Sequence, residues 1–265
     1  MLQISSNHIA KTHNDTLKNN NNVCNFVKKH KDAFEKSCKV SFKGLEGVFK
    51  TFPAIFPKVE VLPGVKDSFV SQITKEISKF PNDWLRKFKK ENYDIVISPT
   101  VSKAYEAKNV FDPVVEFSET QNPNGILGVT YNYITLNNKN FFTFCDKTPY
   151  TDKYMKNIVN HELSHGVVNI AKIDRDKKTF DILKKDVNEI IKERKLDKLT
   201  LNERKLTSKY FFNKNAYMPI DEIAADVFAW NNGAGFYGSG LAMNVENPKL
   251  MKNLFPNLSE YLKTI

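Results

Sequence analysis

The sequence has few cysteines and no long apolar segment, and both shortages exclude whole classes of protein. Its three cysteines, Cys24, Cys38 and Cys145, are an odd number at scattered positions. This predicts neither a disulfide framework nor a Cys-based zinc site, and it is typical of a protein that works in a reducing compartment. No apolar run approaches the ~20 residues that a membrane-spanning helix needs, so we expect no membrane span.

The motifs of nucleic-acid binding are also missing, although the net charge of +10 would suit an acidic partner. The chain has no RNA-recognition signature, no Cys/His finger and no recognition helix with clustered arginines. In the lysine-rich segment Lys184–Lys205, acids are interleaved with the basic residues, which is typical of a solvated helical surface. We therefore expect a monomer that binds a protein or peptide and no nucleic acid.

A change of composition near residue 50 divides the chain of 265 residues. Residues 1–50 are polar and rich in Asn, Ser, Thr and Lys, which predicts a partly disordered segment. They lack the apolar core of a Sec signal peptide. Residues 51–265 predict a single folded domain, because 41% of the whole chain is hydrophobic, enough to bury a core.

The pattern of this domain places strands before a run of helices, which favours an α+β fold. The elements preceding the hairpin are the strands Lys58–Pro63 and Asp94–Pro99 and the helices Lys66–Phe80 and Pro81–Tyr93. A hairpin follows, formed by Gly125–Asn138 and Asn140–Cys145. The chain after Thr151 is predicted to be helical.

One of these helices, Thr151–Ala171, contains the sequence "NHELSH", which has the H-E-x-x-H pattern of zinc hydrolases. His161 and His165 are four residues apart, so both imidazoles lie on one helical face and can reach one metal ion. Glu162 is about 100° round the helix, where it can act as a general base on a metal-activated water. The alternative is an ordinary surface helix that carries two histidines.

A catalytic zinc site takes three protein ligands, so a third ligand must lie elsewhere in the chain. The metzincin extension with a third histidine is absent after His165. The best candidate is Glu222 in "PIDEIAADVFAW" (Pro219–Trp230), where Asp226 shares its helical face and would orient one histidine through its second ring nitrogen. Asp221 is the alternative ligand.

The setting of this second helix favours a metal site but leaves another interpretation open. Residues 215–248 contain no Lys or Arg, in a chain with 40 of them, and a dication is favoured where fixed cations are absent. Ala225 and Ala229 flank the two acids where a solvated face usually carries charged residues. The alternative is that Glu222 and Asp226 form the solvated side of an amphipathic helix.

These residues resemble those of the gluzincins, in which a glutamate from a second helix joins an H-E-x-x-H helix. A narrower resemblance, over roughly residues 55–230, is to the anthrax lethal factor–like metallopeptidase domain, which includes the clostridial Pro-Pro endopeptidases. The segments that carry it are "FPNDWLRKF", "YDIVIS", "GVTYNYITL" and "NHELSH". The resemblance implies a zincin-like fold, with a small mixed sheet and hairpin followed by helices that carry the zinc site, and the same ligands and base as above.

The chain departs from that family at two positions near the third ligand. The acid four residues after the zinc glutamate is usually a glutamate in the family and is Asp226 here. In the family a tyrosine commonly stands seven residues before the zinc glutamate, and this chain has Asn215 at that position. Tyr217 is the nearest tyrosine and is the candidate to stabilise the oxyanion beside Zn²⁺.

The function expected from these features is that of a zinc-dependent endopeptidase. An extended peptide substrate would pair with the edge strand Gly128–Leu136. The resemblance implies a bacterial toxin or effector that is secreted without a Sec signal and acts in a host cytosol, whereas a cytoplasmic peptidase is the alternative. Two competing functions are a basic binding module that holds an acidic partner without catalysis and a zinc amidase acting on peptidoglycan.

Overall fold

A computed structural model describes residues 55–110, 128–133, 139–146, 152–204, 207, 220–234 and 249–265. All of them belong to the compact unit Phe52–Ile265. They form a mixed α and β structure that is mostly helical and contains one small sheet. The predicted polar segment of residues 1–50 lies outside the described residues. None of the described helices is long and apolar enough to cross a membrane.

The described sheet has four strands, of which three are parallel. The strands are β1 (Lys58–Val61), β2 (Tyr93–Ser98), β3 (Gly128–Tyr133) and β4 (Lys139–Cys145). Their order across the sheet is β1-β2-β4-β3, and only β3 runs antiparallel to its neighbour. The predicted hairpin is therefore present as β3 and β4, and the parallel pairing of β1, β2 and β4 adds a feature that the sequence patterns had not specified.

The structure gives bounds for eight α-helices besides this sheet. They are α1 (Asp67–Ile77), α2 (Asn82–Lys90), α3 (Val101–Ala107), α4 (Asp152–Ile170), α5 (Lys177–Lys192), α6 (Ile220–Asn231), α7 (Leu250–Leu254) and α8 (Pro256–Leu262). Thr100 and Asp176 cap α3 and α5, each side chain accepting a backbone hydrogen bond at 3.2 Å, which satisfies an otherwise unpaired N–H group. The predicted helices at 66–80, 81–93 and 151–171 are all present with slightly shorter ends.

Helices cover both faces of the sheet, and the burial of β2 reflects this. Ile95, Val96 and Ile97 are all fully buried. A parallel strand between two helical layers has no solvated face and therefore reads as a continuous apolar run. On one face, Val96 packs in a cluster with residues of α3 and with Phe141 and Cys145 of β4.

The opposite face carries the aromatic side chains against which α4 packs. Phe142 of β4 stacks on Tyr93 with ring centroids 5.0 Å apart and meets Phe88 of α2 edge-on at 5.1 Å. A Cβ atom at Gly166 of α4 would lie 2.6 Å from Phe142 and 2.8 Å from Phe88. The helix can therefore approach the sheet this closely only because residue 166 has no side chain.

A polar contact fixes α4 against the sheet one helical turn further on. The Asn169 amide donates a hydrogen bond of 2.6 Å to the Tyr93 hydroxyl. Tyr93 is 2% exposed, and its burial raises the pKa of its hydroxyl to about 12. The hydroxyl accepts this bond, which therefore orients α4 against the sheet.

We predict that Gly166→Ala destabilises the protein. Alanine is favoured over glycine inside a helix by about 1 kcal/mol, but overpacking a rigid core costs about 1–3 kcal/mol, and Phe142 and Phe88 are fully buried. We expect the clash to outweigh the helix preference. The measurement is the free energy of unfolding in urea for Gly166→Ala, Phe142→Leu and the double variant. Because leucine is shorter than phenylalanine, the double variant should lose less stability than the two single losses added; strict additivity would contradict the contact.

Candidate metal centre

Two helices bring His161, His165 and Glu222 together at one point. The histidines are one turn apart on α4, and Glu222 lies in the first turn of α6, which packs against α4. The two histidine Nε2 atoms are 3.1 Å apart. The Glu222 carboxylate oxygens lie 3.6 Å from Nε2 of His161 and 3.5 Å from Nε2 of His165. This group of side chains could hold a metal ion.

The separations among these three ligand groups are close to those that a tetrahedral ion requires. With ligand bonds of 2.0–2.1 Å and tetrahedral angles, neighbouring ligand atoms stand about 3.3–3.4 Å apart. The observed separations of 3.1, 3.5 and 3.6 Å lie near this value, the last two being measured to the two different oxygens of the Glu222 carboxylate. Two imidazoles and one carboxylate are also a donor set of the kind found in catalytic zinc sites, which leave a fourth position for water. The residues therefore fit Zn²⁺.

The Asp226 carboxylate is hydrogen-bonded to Nδ1 of His161, the ring nitrogen that is not in the ligand group. Its Oδ1 lies 2.6 Å from Nδ1 of His161, and both side chains are almost fully buried. A carboxylate at Nδ1 holds the proton on that nitrogen, so Nε2 keeps a lone pair that faces the Glu222 side. The structure thus places Asp226 against His161, and its part in orienting a metal ligand stays a prediction.

Burial of α6 overturns one alternative interpretation of that helix. If Glu222 and Asp226 formed the solvated side of an amphipathic helix, the residues around them would be exposed. Every residue from Ile223 to Ala229 is instead buried, and Asp226 is 3% exposed. The described structure covers both sides of the helix, so Ala225 and Ala229 are small because α6 is tightly packed.

The electrostatic surroundings of His165 favour a positive charge. Burial by itself lowers the pKa of this imidazole. Its hydrogen bond to Glu222 and the negative charge of that carboxylate raise the pKa. The charges of Glu162 and Asp221 raise it further, to about 9. A field that favours a proton on His165 also favours a metal dication at the same position, since both are positive charges in one cluster of carboxylates.

Three further residues were predicted to belong to the site: Glu162, Asp221 and Tyr217. Glu162 is buried at 4% exposure beside the ligands, and its charge acts on His165. Asp221 is exposed at the start of α6 and is not among the residues whose ligand atoms converge. Tyr217 lies outside the described residues, so its proposed contribution to the oxyanion stays a prediction.

Sequence reasoning missed Gly166 and Asn169, the two residues that fix the histidine helix against the sheet. A glycine inside a helix is disfavoured by about 1 kcal/mol relative to alanine, and this one directly follows a candidate ligand. That conflict was the available signal for a close contact. Asn169 gave no such signal, because its partner Tyr93 is 76 residues away in the sequence.

Comparison with known proteins adds little to this picture. No protein-family model matches the chain, and no curated protein matches it in sequence. One solved structure that it resembles is the Pro-Pro endopeptidase of Paenibacillus alvei, at 12% sequence identity and a TM-score of 0.45. The match covers 78% of this chain and 96% of that one. A likeness of this size establishes neither a family nor an activity, so the predicted lethal factor–like and zincin assignments stay predictions.

We predict that Glu222→Ala removes most of the bound zinc, whereas Asp221→Ala retains it. The two acids are neighbours in the first turn of α6, so the Asp221 variant is a matched control for the loss of one negative charge. Zinc per chain is measured by elemental analysis after dialysis of purified protein. Equal zinc loss in the two variants would show that charge, and not ligation by Glu222, governs binding.

We also predict that zinc binding releases about one proton per ion at neutral pH, because a metal ligand must be a neutral imidazole. With its pKa raised to about 9, His165 is protonated below that pH in the metal-free protein. Because protons compete with zinc for His165, the apparent zinc affinity should fall about tenfold for each unit by which the pH is lowered below 9. Calorimetric titration in two buffers of different ionisation enthalpy measures the proton release directly, and a value near zero at pH 7 would contradict the prediction.

Proposed function

We propose that this protein is a zinc-dependent endopeptidase that hydrolyses peptide bonds in a protein substrate. The observation that supports the proposal is the triangle of His161, His165 and Glu222, with spacings suited to a tetrahedral ion and with Asp226 behind His161. A glutamate adjacent to the first ligand, Glu162, completes the set of groups needed for hydrolysis.

In this proposal the protein side chains divide the chemistry between them. When bound by the three ligands, Zn²⁺ would lower the pKa of a water molecule and polarise the scissile carbonyl. Glu162 takes a proton from the attacking water and later delivers it to the leaving amine. Its burial at 4% exposure suits both steps, since bulk water is kept from competing for either proton transfer. Asp226 keeps the His161 ring in one orientation throughout.

The geometry of the sheet supports a peptide as the substrate. Within the described sheet, β3 has a strand neighbour on one side only, and it lies against the histidine helix α4. An extended peptide can add to such an edge through main-chain hydrogen bonds. This mode of binding would align a scissile bond with the metal centre and would leave the side-chain preference to residues around it.

A basic binding module that holds an acidic partner is the competing function, and Glu162 discriminates between the two. A module that only binds has no need of a buried carboxylate next to two metal ligands, whereas a hydrolase does. Secretion and action in a host cytosol, or the cytoplasmic alternative, stay predictions from the sequence, because none of the described residues bears on them.

We predict that Glu162→Gln keeps its zinc and loses catalysis. Glutamine has nearly the same shape as glutamate but cannot accept a proton, so peptide cleavage should slow by about 10²–10⁴-fold. The measurement uses a library of quenched fluorescent peptides with wild-type and variant protein, each at one zinc per chain. Zinc content serves as the control for an intact site. Cleavage by the variant at the wild-type rate would contradict the endopeptidase proposal. Absence of cleavage by zinc-loaded wild type would also contradict it and would favour the binding module.

A further inference from the structure

Helix α8 is hydrogen-bonded to the C-terminal end of α6, which is remote from the metal centre. The side-chain amide of Asn231 donates a hydrogen bond of 2.9 Å to the backbone carbonyl of Ser259. The Ser259 hydroxyl donates one of 2.8 Å to Oδ1 of the Asn231 side chain. Ser259 is fully buried. Both polar groups of the asparagine side chain are thus used by one residue of α8, which is a reciprocal and directional contact.

Helix α8 is itself fixed to a third helix, α5. The buried carboxylate of Asp186 accepts hydrogen bonds from the backbone N–H groups of Asn257 and Leu258 at 3.0 and 2.9 Å, and from the Asn257 amide at 2.6 Å. These bonds satisfy the N-terminal donors of α8. Leu258 and Leu262 are buried beneath it. Since α8 cannot slide along α5 without breaking the bonds to Asp186, it is a firm support for α6.

The position of α6 decides whether the metal ligands can meet. Glu222 precedes Asn231 by nine residues, roughly 14 Å along a helix that moves as a unit. Apolar packing between helices is not directional, so it leaves small shifts and rotations possible. A paired hydrogen bond weakens steeply when its distance or angle changes. The Asn231–Ser259 pair therefore restricts α6 in a way that its apolar contacts do not.

We infer that Asn231 and Ser259 are positioning residues for the metal centre: from the far end of α6 they set the register at which Glu222 and Asp226 face the two histidines. This inference rests on the proposed zinc site and deepens it. It assigns a part in metal affinity to the C-terminal helix, which contributes no ligand. Neither residue is among those whose ligand atoms converge, so they act on the metal centre through α6.

The test is a double-variant cycle read out as zinc affinity. The proteins are full-length wild type, Asn231→Ala, Ser259→Ala and the double variant, and zinc dissociation constants are measured by competition with a chromogenic chelator. Asn231→Ala removes both hydrogen bonds and should weaken zinc binding roughly fivefold, the scale of coupling through a packed element. Ser259→Ala removes only the bond donated by the hydroxyl and keeps the backbone carbonyl that accepts the other, so it should weaken zinc binding less. The double variant should be no weaker than Asn231→Ala alone, because that change already removes the whole contact.

Val101→Ala is the control for a loss of stability without a change in α6. Val101 is a fully buried residue of α3 in the cluster on the opposite face of the sheet, so its truncation lowers stability through a cavity. Val101→Ala should leave the zinc dissociation constant unchanged. The Asn231 and Ser259 variants should raise that constant even where they lower the thermal midpoint by no more than Val101→Ala does. Zinc affinities of the pair variants equal to wild type would overturn the inference while leaving the proposed function intact. If wild type itself bound no zinc, the proposed function would fail, and the inference with it.

Discussion

A buried hydrogen bond between Asp226 and His161 joins the two helices that carry the candidate metal ligands. At 2.6 Å between two almost fully buried groups, it gives a partner to Oδ1 of a carboxylate that is costly to remove from water. Neither side chain can be buried in this way unless α4 and α6 are docked. Formation of the ligand triangle and docking of the two helices are therefore one event, and any change that separates the helices removes the site as well.

The two docked helices are held in place from opposite sides. The sheet fixes α4, because Gly166 lets the helix backbone approach the Phe142 ring and Asn169 binds the Tyr93 hydroxyl just beyond it. The C-terminal helix fixes α6 through Asn231. The histidines and Glu222 then meet at the junction of these two supports. This arrangement gives geometric precision to ligands from helices that are separated by 50 residues of sequence, from Ile170 to Ile220, and a metal site depends on such precision.

Local patterns predicted those parts of the site that depend on one helix at a time. The spacing of His161 and His165 is a property of the helix itself, and the shared face of Glu222 and Asp226 is another. Contacts between distant segments left no such pattern. The parallel pairing of β2 with β4 follows from long-range packing, and nothing local to Asn231 or Ser259 indicates that they meet. The solvated interpretation of α6 failed for the same reason, since the layers that bury Ala225 and Ala229 are not encoded near those residues.

Net charge is a poor guide to the chemistry of this site. The chain carries +10 overall, yet the charges that act on His165 come from Glu222, Glu162 and Asp221. The α6 dipole supports this separation: its positive N-terminus carries acids, and the Lys156 ammonium lies near Gly233 just beyond its C-terminus. Because Coulomb interactions inside a protein fall off with distance and screening, lysines spread over a solvated surface scarcely alter the potential at a buried centre. A basic protein can thus hold a dication where its own acids converge.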